Sequence, residues 1–383
     1  MKTGKTAGRC RCLRCGHEFS AYDCIYQAVH VTGSGMVRYD IIPGYSGKPR
    51  VRRGEKELDP KSVKVVNISP SRGVPISITL DITESGHTFT LETDNTNRCC
   101  PYCQTGVHPL EGYHTTLIVA CIGPRSIGKS TFCNCLISRT GLHRLNDMLY
   151  SLGYTASADT VEDVQILSAT PVETQLLQGF TIRSHSLQLT ILFFDVAGEL
   201  FESNLPAETA SLGTKYKNRL GLCDAFLLFH DPRDLCGASI NPSAGGKTLV
   251  INDIISRYSE KPTIHLFTKG DVLQAQIRRT GPLAGRDFNN THANALTVSS
   301  PVFHRVDPPN SQEQMDEKLA LHIALANRFF HRCVRSYVPV GDRDPCFLVS
   351  SGSSRNTDKG SAINHEDEYN TALPVAYLLR QYL

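Results

Sequence analysis

The chain has 383 residues, of which 40% are hydrophobic and 20% charged, an ordinary balance that argues against wholesale disorder. Its 40 Lys and Arg residues against 37 Asp and Glu give a net charge of +3, too small to indicate a nucleic-acid or membrane-surface partner. Trp is absent, which excludes binding surfaces built on that side chain. The first residues lack the apolar stretch of a secretory signal, and the longest apolar runs are far below the roughly 18 residues of a membrane span. We therefore expect a cytoplasmic protein without a membrane span.

Residues 1–113 are predicted to form a small β-rich module. Three runs, Val63–Ile68, Pro75–Thr83 and His87–Thr93, have the composition of strands, and the second alternates strictly between apolar and polar residues. Turn-forming residues separate these runs. The stretch Gly47–Lys64 is basic, and the sequence leaves open whether it is a solvated loop or a surface that faces phosphates.

Two Cys-x-x-Cys pairs lie at the ends of this module, Cys12 with Cys15 and Cys100 with Cys103. In a large chain of the cytosol this spacing is more typical of metal ligation than of disulfides. Four thiolates suit tetrahedral Zn²⁺, so we predict one structural zinc ion, with residues 16–98 as a β-rich insertion between the two turns. Unrelated free thiols and a redox or iron–sulfur site remain alternatives.

From residue 114 to residue 383, short apolar runs alternate with helical patterns. This alternation predicts an α/β domain in which a mostly parallel sheet has helices on both faces, with an irregular insertion at about 277–312. The predicted strands are Thr116–Ile122, Leu189–Phe194, Ala225–His230, Thr263–Thr268 and Cys346–Ser350. The predicted helices are Lys129–Thr140, Thr248–Ser259, Met315–Tyr337 and Pro374–Leu383.

The segment Gly123–Ser130 matches the phosphate-loop pattern G-x-x-x-x-G-K-[ST] between a predicted strand and a predicted helix. Its glycines let backbone N–H groups curl around phosphate oxygens at the positive end of the helix. Lys129 would reach the outer phosphates, and the hydroxyl of Ser130 would ligate Mg²⁺. The residues predicted to bind the nucleotide here are Gly123, Arg125, Ser126, Ile127, Gly128, Lys129, Ser130 and Thr131.

Two later segments add to this nucleotide site. Asp195 ends a strand and begins Asp-Val-Ala-Gly, so its carboxylate can hold the Mg²⁺ shell while the N–H of Gly198 meets a γ-phosphate. The segment Thr268-Lys269-Gly270-Asp271 follows another strand. The carboxylate of Asp271 can accept two hydrogen bonds from guanine, and the stem of Lys269 can lie along the ring. Adenine lacks the paired donors and would leave a buried carboxylate unpaired.

Taken together, GPRSIGKS, DVAG and TKGD resemble the Ras-like, translation-factor-related class of P-loop GTPases. The resemblance implies a molecular switch that binds GTP and GDP with Mg²⁺, hydrolyses GTP, and works with a protein effector or activating partner. The cysteine pairs, the strand ending Phe229-His230-Asp231-Pro232 and the late insertion resemble a narrower group, the bacterial double-GTPase-type domains. That likeness implies a regulatory subunit of a multi-protein conflict or signalling system.

The resemblance also assigns residues that the motifs alone do not. A short loop that touches the guanine oxygen corresponds to Ser350-Ser351, with Ser299-Ser300 as the rival. The threonine that completes the Mg²⁺ shell corresponds to Thr174, with Thr170 as the rival.

Catalysis is where the sequence departs from the class. Glu199 stands where many relatives have a water-orienting Gln, and Arg125 stands where Ras proteins have a Gly. Both departures predict slow hydrolysis, although Arg125 can also serve as an internal positive charge. A nucleotide-binding scaffold that does not hydrolyse GTP and an ATP-using P-loop enzyme remain alternative functions.

Overall fold

A computed structural model provides the structure of the chain. It describes residues 8–33, 35–44, 48–71, 74–109, 111–112, 115–124, 127–158, 176–185, 187–196, 219–231, 256–281, 296–335, 344–357 and 360–382. The chain divides into two compact units, one of Met1–Thr116 with Gln188–Thr190 and one of Leu117–Leu187 with Ile191–Leu383. None of the helices in the described part of the chain is long and apolar enough to cross a membrane.

The N-terminal unit consists mainly of strands. They are β1 (Arg9–Arg11), β2 (Glu18–Ser20), β3 (Ile25–Thr32), β4 (Gly35–Ile42), β5 (Arg50–Arg53), β6 (Lys56–Glu57), β7 (Val63–Ser71), β8 (Val74–Glu84), β9 (His87–Asp94) and β10 (Arg98–Cys99). One sheet has the order β10-β3-β4-β5-β6, a second has the order β7-β8-β9, and β1 pairs with β2. The three strands predicted after residue 62 are confirmed as β7, β8 and β9.

Alternation along these strands buries one face of each sheet. Ile78, Leu80 and Ile82 of β8 are fully buried, as the period of two requires for a strand with one core face. They belong to the same apolar cluster as Tyr39 and Ile41 of β4, so the two sheets share one core. Cys12 and Cys100 are buried in that cluster as well, which places the candidate metal ligands at the edge of a packed core.

The second unit contains a seven-stranded sheet. Its strands are β11 (Thr115–Ile122), β12 (Thr155–Ser157), β13 (Leu176–Arg183), β14 (Gln188–Asp195), β15 (Ala225–His230), β16 (Thr263–Phe267) and β17 (Cys346–Leu348). The order is β12-β13-β14-β11-β15-β16-β17. The pairs β11–β15, β15–β16 and β16–β17 are parallel, and β12–β13 is antiparallel. The five predicted strands of this region are confirmed, the last of them ending two residues earlier than expected.

Among the described residues the α-helices with full bounds are α1 (Lys129–Ile137), α2 (Arg139–Tyr150), α3 (Gly270–Thr280), α4 (Gln312–Arg335) and α5 (Leu373–Tyr382). The prediction of a single helix over Lys129–Thr140 is wrong, because Ser138 leaves the helical conformation. Its hydroxyl accepts a hydrogen bond from the N–H of Gly141 at 3.0 Å, and this N-cap begins α2. A Cβ at position 141 would lie only 1.7 Å from the carbonyl oxygen of Cys135, so the break requires glycine.

Two further differences concern the C-terminal half. The sequence did not predict the hairpin of β18 (Ser350–Thr357) and β19 (Gly360–Tyr369), which occupies the stretch between the last strand of the sheet and α5. The stretch expected to be irregular from about 277 begins as the last turn of α3, which continues to Thr280. The helix expected at Thr248–Ser259 lies mostly outside the described residues.

Candidate functional site

The phosphate loop joins β11 to α1, as its sequence predicts. Gly128 has a φ of 101°, the left-handed conformation that favours glycine, and α1 begins directly after it. Gly123 needs to be small for a different reason, since a Cβ there would lie 2.9 Å from both Cβ and the carbonyl oxygen of Phe229 on β15. The loop therefore needs a small residue where it approaches β15 and a left-handed residue directly before α1.

Lys129 is buried and its ammonium group lies within the loop. Its Nζ donates to the carbonyl oxygens of Gly123 at 3.0 Å and Pro124 at 3.1 Å. A buried ammonium needs such partners, and the same group can exchange them for phosphate oxygens. The arrangement can therefore hold a positive charge ready for an anionic ligand.

A hydroxyl and a carboxylate meet beside Lys129. Ser130, in the first turn of α1, donates a short hydrogen bond from Oγ to Oδ2 of Asp195, which ends β14 and is buried. Oxygen ligands of this kind are those that Mg²⁺ takes in nucleotide sites, usually one or two carboxylate or hydroxyl groups together with phosphates. Ser130 and Asp195 thus fit a magnesium ion. Thr131, which the sequence also assigns to the nucleotide, follows Ser130 in the first turn of α1.

Several predicted residues cannot be placed. Arg125, Ser126, Thr170, Thr174, Gly198 and Glu199 lie outside the described residues.

The segment Thr268–Asp271 lies next to the phosphate loop. Oγ1 of Thr268 donates to the carbonyl oxygen of Ile127 at 2.6 Å, so one hydroxyl ties the end of β16 to the loop. Asp271, in the first turn of α3, accepts a hydrogen bond from Oγ of Ser350 at 2.9 Å. The N–H of Gly270 donates to the carbonyl oxygen of Val349 at 3.1 Å. The parallel strands β16 and β17 thus deliver these residues to one edge of the sheet.

Of the two serine pairs proposed for the loop beside the base, the structure brings Ser350 to Asp271. The hydroxyl of the rival Ser300 accepts from the N–H of Thr297 at 2.9 Å and stabilises its own turn. Ser350 and Ser351 both lie at the start of β18 rather than in a loop. The carbonyl oxygen of Ser351 accepts from the thiol of Cys135 at 2.8 Å, which joins the start of β18 to α1. The hydroxyl of Ser351 is buried and has no hydrogen-bond partner among the described residues.

Sequence reasoning missed one charged contact at this edge. Nζ of Lys269 lies 3.1 Å from Oδ2 of Asp231, the residue directly after β15. The signal was present in the sequence, because Asp231 lies at the carboxyl end of a buried strand, as Asp195 does. What the sequence could not give was the adjacency of β15 and β16.

The four cysteines predicted to bind a metal come together in the N-terminal unit. The sulfur atoms of Cys12, Cys15, Cys100 and Cys103 lie within 4.8 Å of one another. The Cys12–Cys103 pair is 3.5 Å apart and the Cys15–Cys100 pair 3.7 Å apart. Four thiolates around Zn²⁺ at about 2.3 Å have sulfur atoms about 3.8 Å apart in a tetrahedron, so this donor set fits zinc.

Each cysteine pair lies on a tight turn. The N–H of Gly16, with a φ of 82°, donates to the carbonyl oxygen of Cys12 at 2.8 Å. Gln104, with a φ of 56°, donates in the same way to Cys100 at 2.9 Å. His17 stacks on Tyr102 at 4.2 Å between ring centres, and its Nδ1 lies 3.3 Å from the sulfur of Cys15. The two turns therefore match in geometry as well as in spacing.

The thiol groups of the cysteine cluster differ in pKa. Burial raises the pKa of Cys100 to about 11. Burial alone would also raise the pKa of Cys103, but hydrogen bonding with Thr105, Cys12 and Cys15 lowers it to about 7. Four thiolates this close repel one another, so all four lose their protons together only when a cation neutralises them.

Comparison with known proteins gives little beyond this geometry. No family model matches the sequence. No curated protein matches it either. Among solved structures, a variant of Era from Aquifex aeolicus bound to GDP and AlF4⁻ is similar at 15% identity, with 70% of this chain and 57% of that chain covered and a TM-score of 0.31. Era in complex with MgGDPNP and a segment of 16S ribosomal RNA is similar at 16% identity, with the same coverage and TM-score. The chain thus spans 57% of these relatives, and a TM-score this low carries no argument about fold or ligand.

Proposed function

We propose that the chain is a GTP-binding molecular switch that hydrolyses GTP slowly with Mg²⁺. The observation that carries the proposal is the bond from Thr268 Oγ1 to the carbonyl oxygen of Ile127. It connects a phosphate loop to a segment whose Asp271 is already oriented by Ser350. A site with both parts recognises a nucleotide at its phosphates and at its base, and a carboxylate at the base end selects guanine.

The predicted site residues that the structure describes have separate roles in this proposal. Lys129 exchanges the carbonyl oxygens of Gly123 and Pro124 for phosphate oxygens, and Gly128 allows the loop N–H groups to face them. Ser130 and Asp195 hold Mg²⁺, which neutralises charge on the phosphates when bound. Asp271 accepts two hydrogen bonds from the guanine edge.

Hydrolysis is proposed from sequence alone, since Glu199, Gly198 and Thr174 lie outside the described residues. An ionised Glu only accepts hydrogen bonds, whereas a Gln amide can both donate and accept when it orients water. The negative charge of Glu199 would also approach phosphate oxygens that are already anionic. We therefore expect a single-turnover rate well below about one per second, to which a protein partner adds the missing charge stabilisation.

The cysteine cluster is proposed to bind one structural Zn²⁺ through Cys12, Cys15, Cys100 and Cys103. The division into a zinc module, residues 1–113, and a GTPase-type domain, residues 114–383, belongs to the same proposal. A cytoplasmic regulatory subunit of a multi-protein system is the role we propose for the whole chain, with a protein effector as its partner.

Competition binding tests the proposed function most directly. A fluorescent GDP analogue should be displaced by GDP and GTP in the presence of Mg²⁺, and ATP should require at least about a hundredfold higher concentration. ATP displacing the probe as well as GTP would overturn the guanine assignment. Single-turnover hydrolysis of GTP then separates a slow switch from a scaffold, because a scaffold releases no phosphate.

A further inference from the structure

The ion pair between Lys269 and Asp231 is partly shielded from water. The side chain of Asp231 is 11% exposed and that of Lys269 is 27% exposed, with 3.1 Å between Oδ2 and Nζ. Exposed ion pairs contribute little because water screens them, whereas a pair at this level of burial holds its geometry more firmly. Asp231 is supplied by β15 and Lys269 by β16, whose parallel pairing brings their carboxyl ends to one edge of the sheet.

The backbone around Lys269 is fixed in the same place. Lys269 has a φ of 57°, a left-handed conformation that costs a non-glycine residue free energy unless its surroundings impose it. The N–H of Thr268 donates to the carbonyl oxygen of His230 at 3.2 Å. The end of β15 therefore holds the segment Thr268-Lys269 through its backbone at His230 and through its side chain at Asp231.

We propose that Asp231 is a positioning residue for base recognition, one that fixes the ammonium of Lys269 so that the lysine stem forms a wall of the purine pocket. The proposal deepens the proposed function and rests on it. A lysine side chain has a flexible stem of four carbons and loses considerable conformational entropy when it is ordered against a ligand. An ion pair formed before the nucleotide arrives removes part of that cost from binding.

A merely structural ion pair would have different consequences. It would stabilise the folded chain and affect every ligand of the site alike. A positioning role instead predicts that changing Asp231 lowers the affinity only for ligands that carry a base. This loss of affinity should disappear once Lys269 cannot form the ion pair. Inorganic pyrophosphate, which engages the phosphate loop without a base, separates the two cases.

The test is a double-mutant cycle on the full chain with Asp231→Asn, Lys269→Met and both together. Asp231→Asn should weaken GDP binding about tenfold, the effect of losing one charge-assisted hydrogen bond, and leave competition by pyrophosphate unchanged. The double variant should bind GDP no more weakly than Lys269→Met alone. Asp231→Glu, which keeps the charge, should lie closer to the wild type than Asp231→Asn. Asp147→Asn is the matched control, because Asp147 is an exposed carboxylate on α2 bonded to His143, and it should leave GDP binding unchanged.

Thermal unfolding without nucleotide shows whether the variants are folded, and Asp231→Ser removes the charge with a smaller side chain if Asp231→Asn does not fold. Wild-type affinity for GDP in Asp231→Asn overturns this inference alone, as do losses that add in the double variant or that extend equally to pyrophosphate. Failure of the wild type to bind GDP overturns the proposed function and this inference with it.

Discussion

The cysteine cluster and the phosphate loop are both built from tight turns, but they are held in different ways. The cluster joins turns from opposite ends of the N-terminal unit, with Cys15 and Cys100 separated by 85 positions. Its donors make only weak sulfur contacts with one another. The phosphate loop lies between adjacent elements, and Lys129, Ser130 and Thr268 all have hydrogen-bond partners within the protein. We therefore expect the cluster to need a cation before all four thiols lose their protons, whereas the polar groups of the phosphate loop already have protein partners without a ligand.

The largest effect is expected on removing metal from the cluster. Structural zinc contributes on the order of 10 kcal/mol of binding free energy to small domains, so chelation or Cys100→Ser should unfold the N-terminal unit. GDP binding should remain, because its ligands lie in the second unit. Metal analysis should give about one zinc per chain. Near-UV spectra should show the unfolding of the N-terminal unit, and a GDP-binding assay should show that the second unit still binds its ligand.

A protein prepared without chelator that carries no zinc would contradict this expectation. Cys223→Ser is a matched control, since Cys223 is also buried but lies outside the cluster.

Lys129→Ala should have the next largest effect, and on ligand binding alone. The variant removes the ammonium group that we assign to the outer phosphates, so GTP affinity should fall by about a hundredfold or more. Because the loop is anchored by buried strands, the melting temperature without nucleotide should change little. A large loss of stability would show that the loop, like the cluster, needs its charge to keep its shape.

Asp271→Asn should change which base is bound. An amide presents a donor where guanine also has one, so GTP should weaken by roughly 2–3 kcal/mol. Xanthine nucleotides, which carry an acceptor there, should gain correspondingly. Competition with GTP, XTP and ATP measures the change, and equal weakening of all three would mean that Asp271 shapes the pocket without reading the base.

Ser350→Ala should have the smallest effect. It removes one hydrogen bond to the Asp271 carboxylate, worth about 1 kcal/mol, so GDP affinity should fall about fivefold. Ser300→Ala provides the matched control, because that hydroxyl stabilises a separate turn. A larger loss in Ser300→Ala than in Ser350→Ala would restore the rival serine pair.

What the sequence predicted follows from the range of the interactions. The phosphate loop and the two cysteine turns are local patterns whose spacing alone indicates their chemistry. Strand β8 was predicted because its one buried face leaves a period of two in the sequence, and β15 because its full burial leaves a short apolar run. The break at Ser138 was missed because a single serine inside an apolar pattern looks like a tolerated helix residue, so the predicted helix ran on to Thr140. The hairpin β18–β19 was missed because its sequence is polar and lacks an apolar period.

Contacts between strands were beyond reach for a different reason. The order β11-β15-β16-β17 sets which loops meet at the sheet edge, and no single segment encodes it. Asp231 and Lys269 therefore remained unconnected, although each follows a strand that was predicted. The pairing of β16 with β17 brings Ser350 within hydrogen-bond distance of Asp271, and neither segment encodes that pairing by itself.

The hydroxyl of Thr268 has a thermodynamic consequence. Because it donates to Ile127, a ligand that orders the phosphate loop also orders the segment that leads to Asp271. Two half-ligands, pyrophosphate and guanosine, would then bind with positive cooperativity, and by linkage each would raise the affinity of the other by the same factor. Thr268→Val, which keeps the shape and removes the bond, would make their binding independent. A nucleotide that lost its base contact would in turn be held less firmly at its phosphates and would dissociate faster. This single hydrogen bond would thus lengthen the lifetime of the bound state.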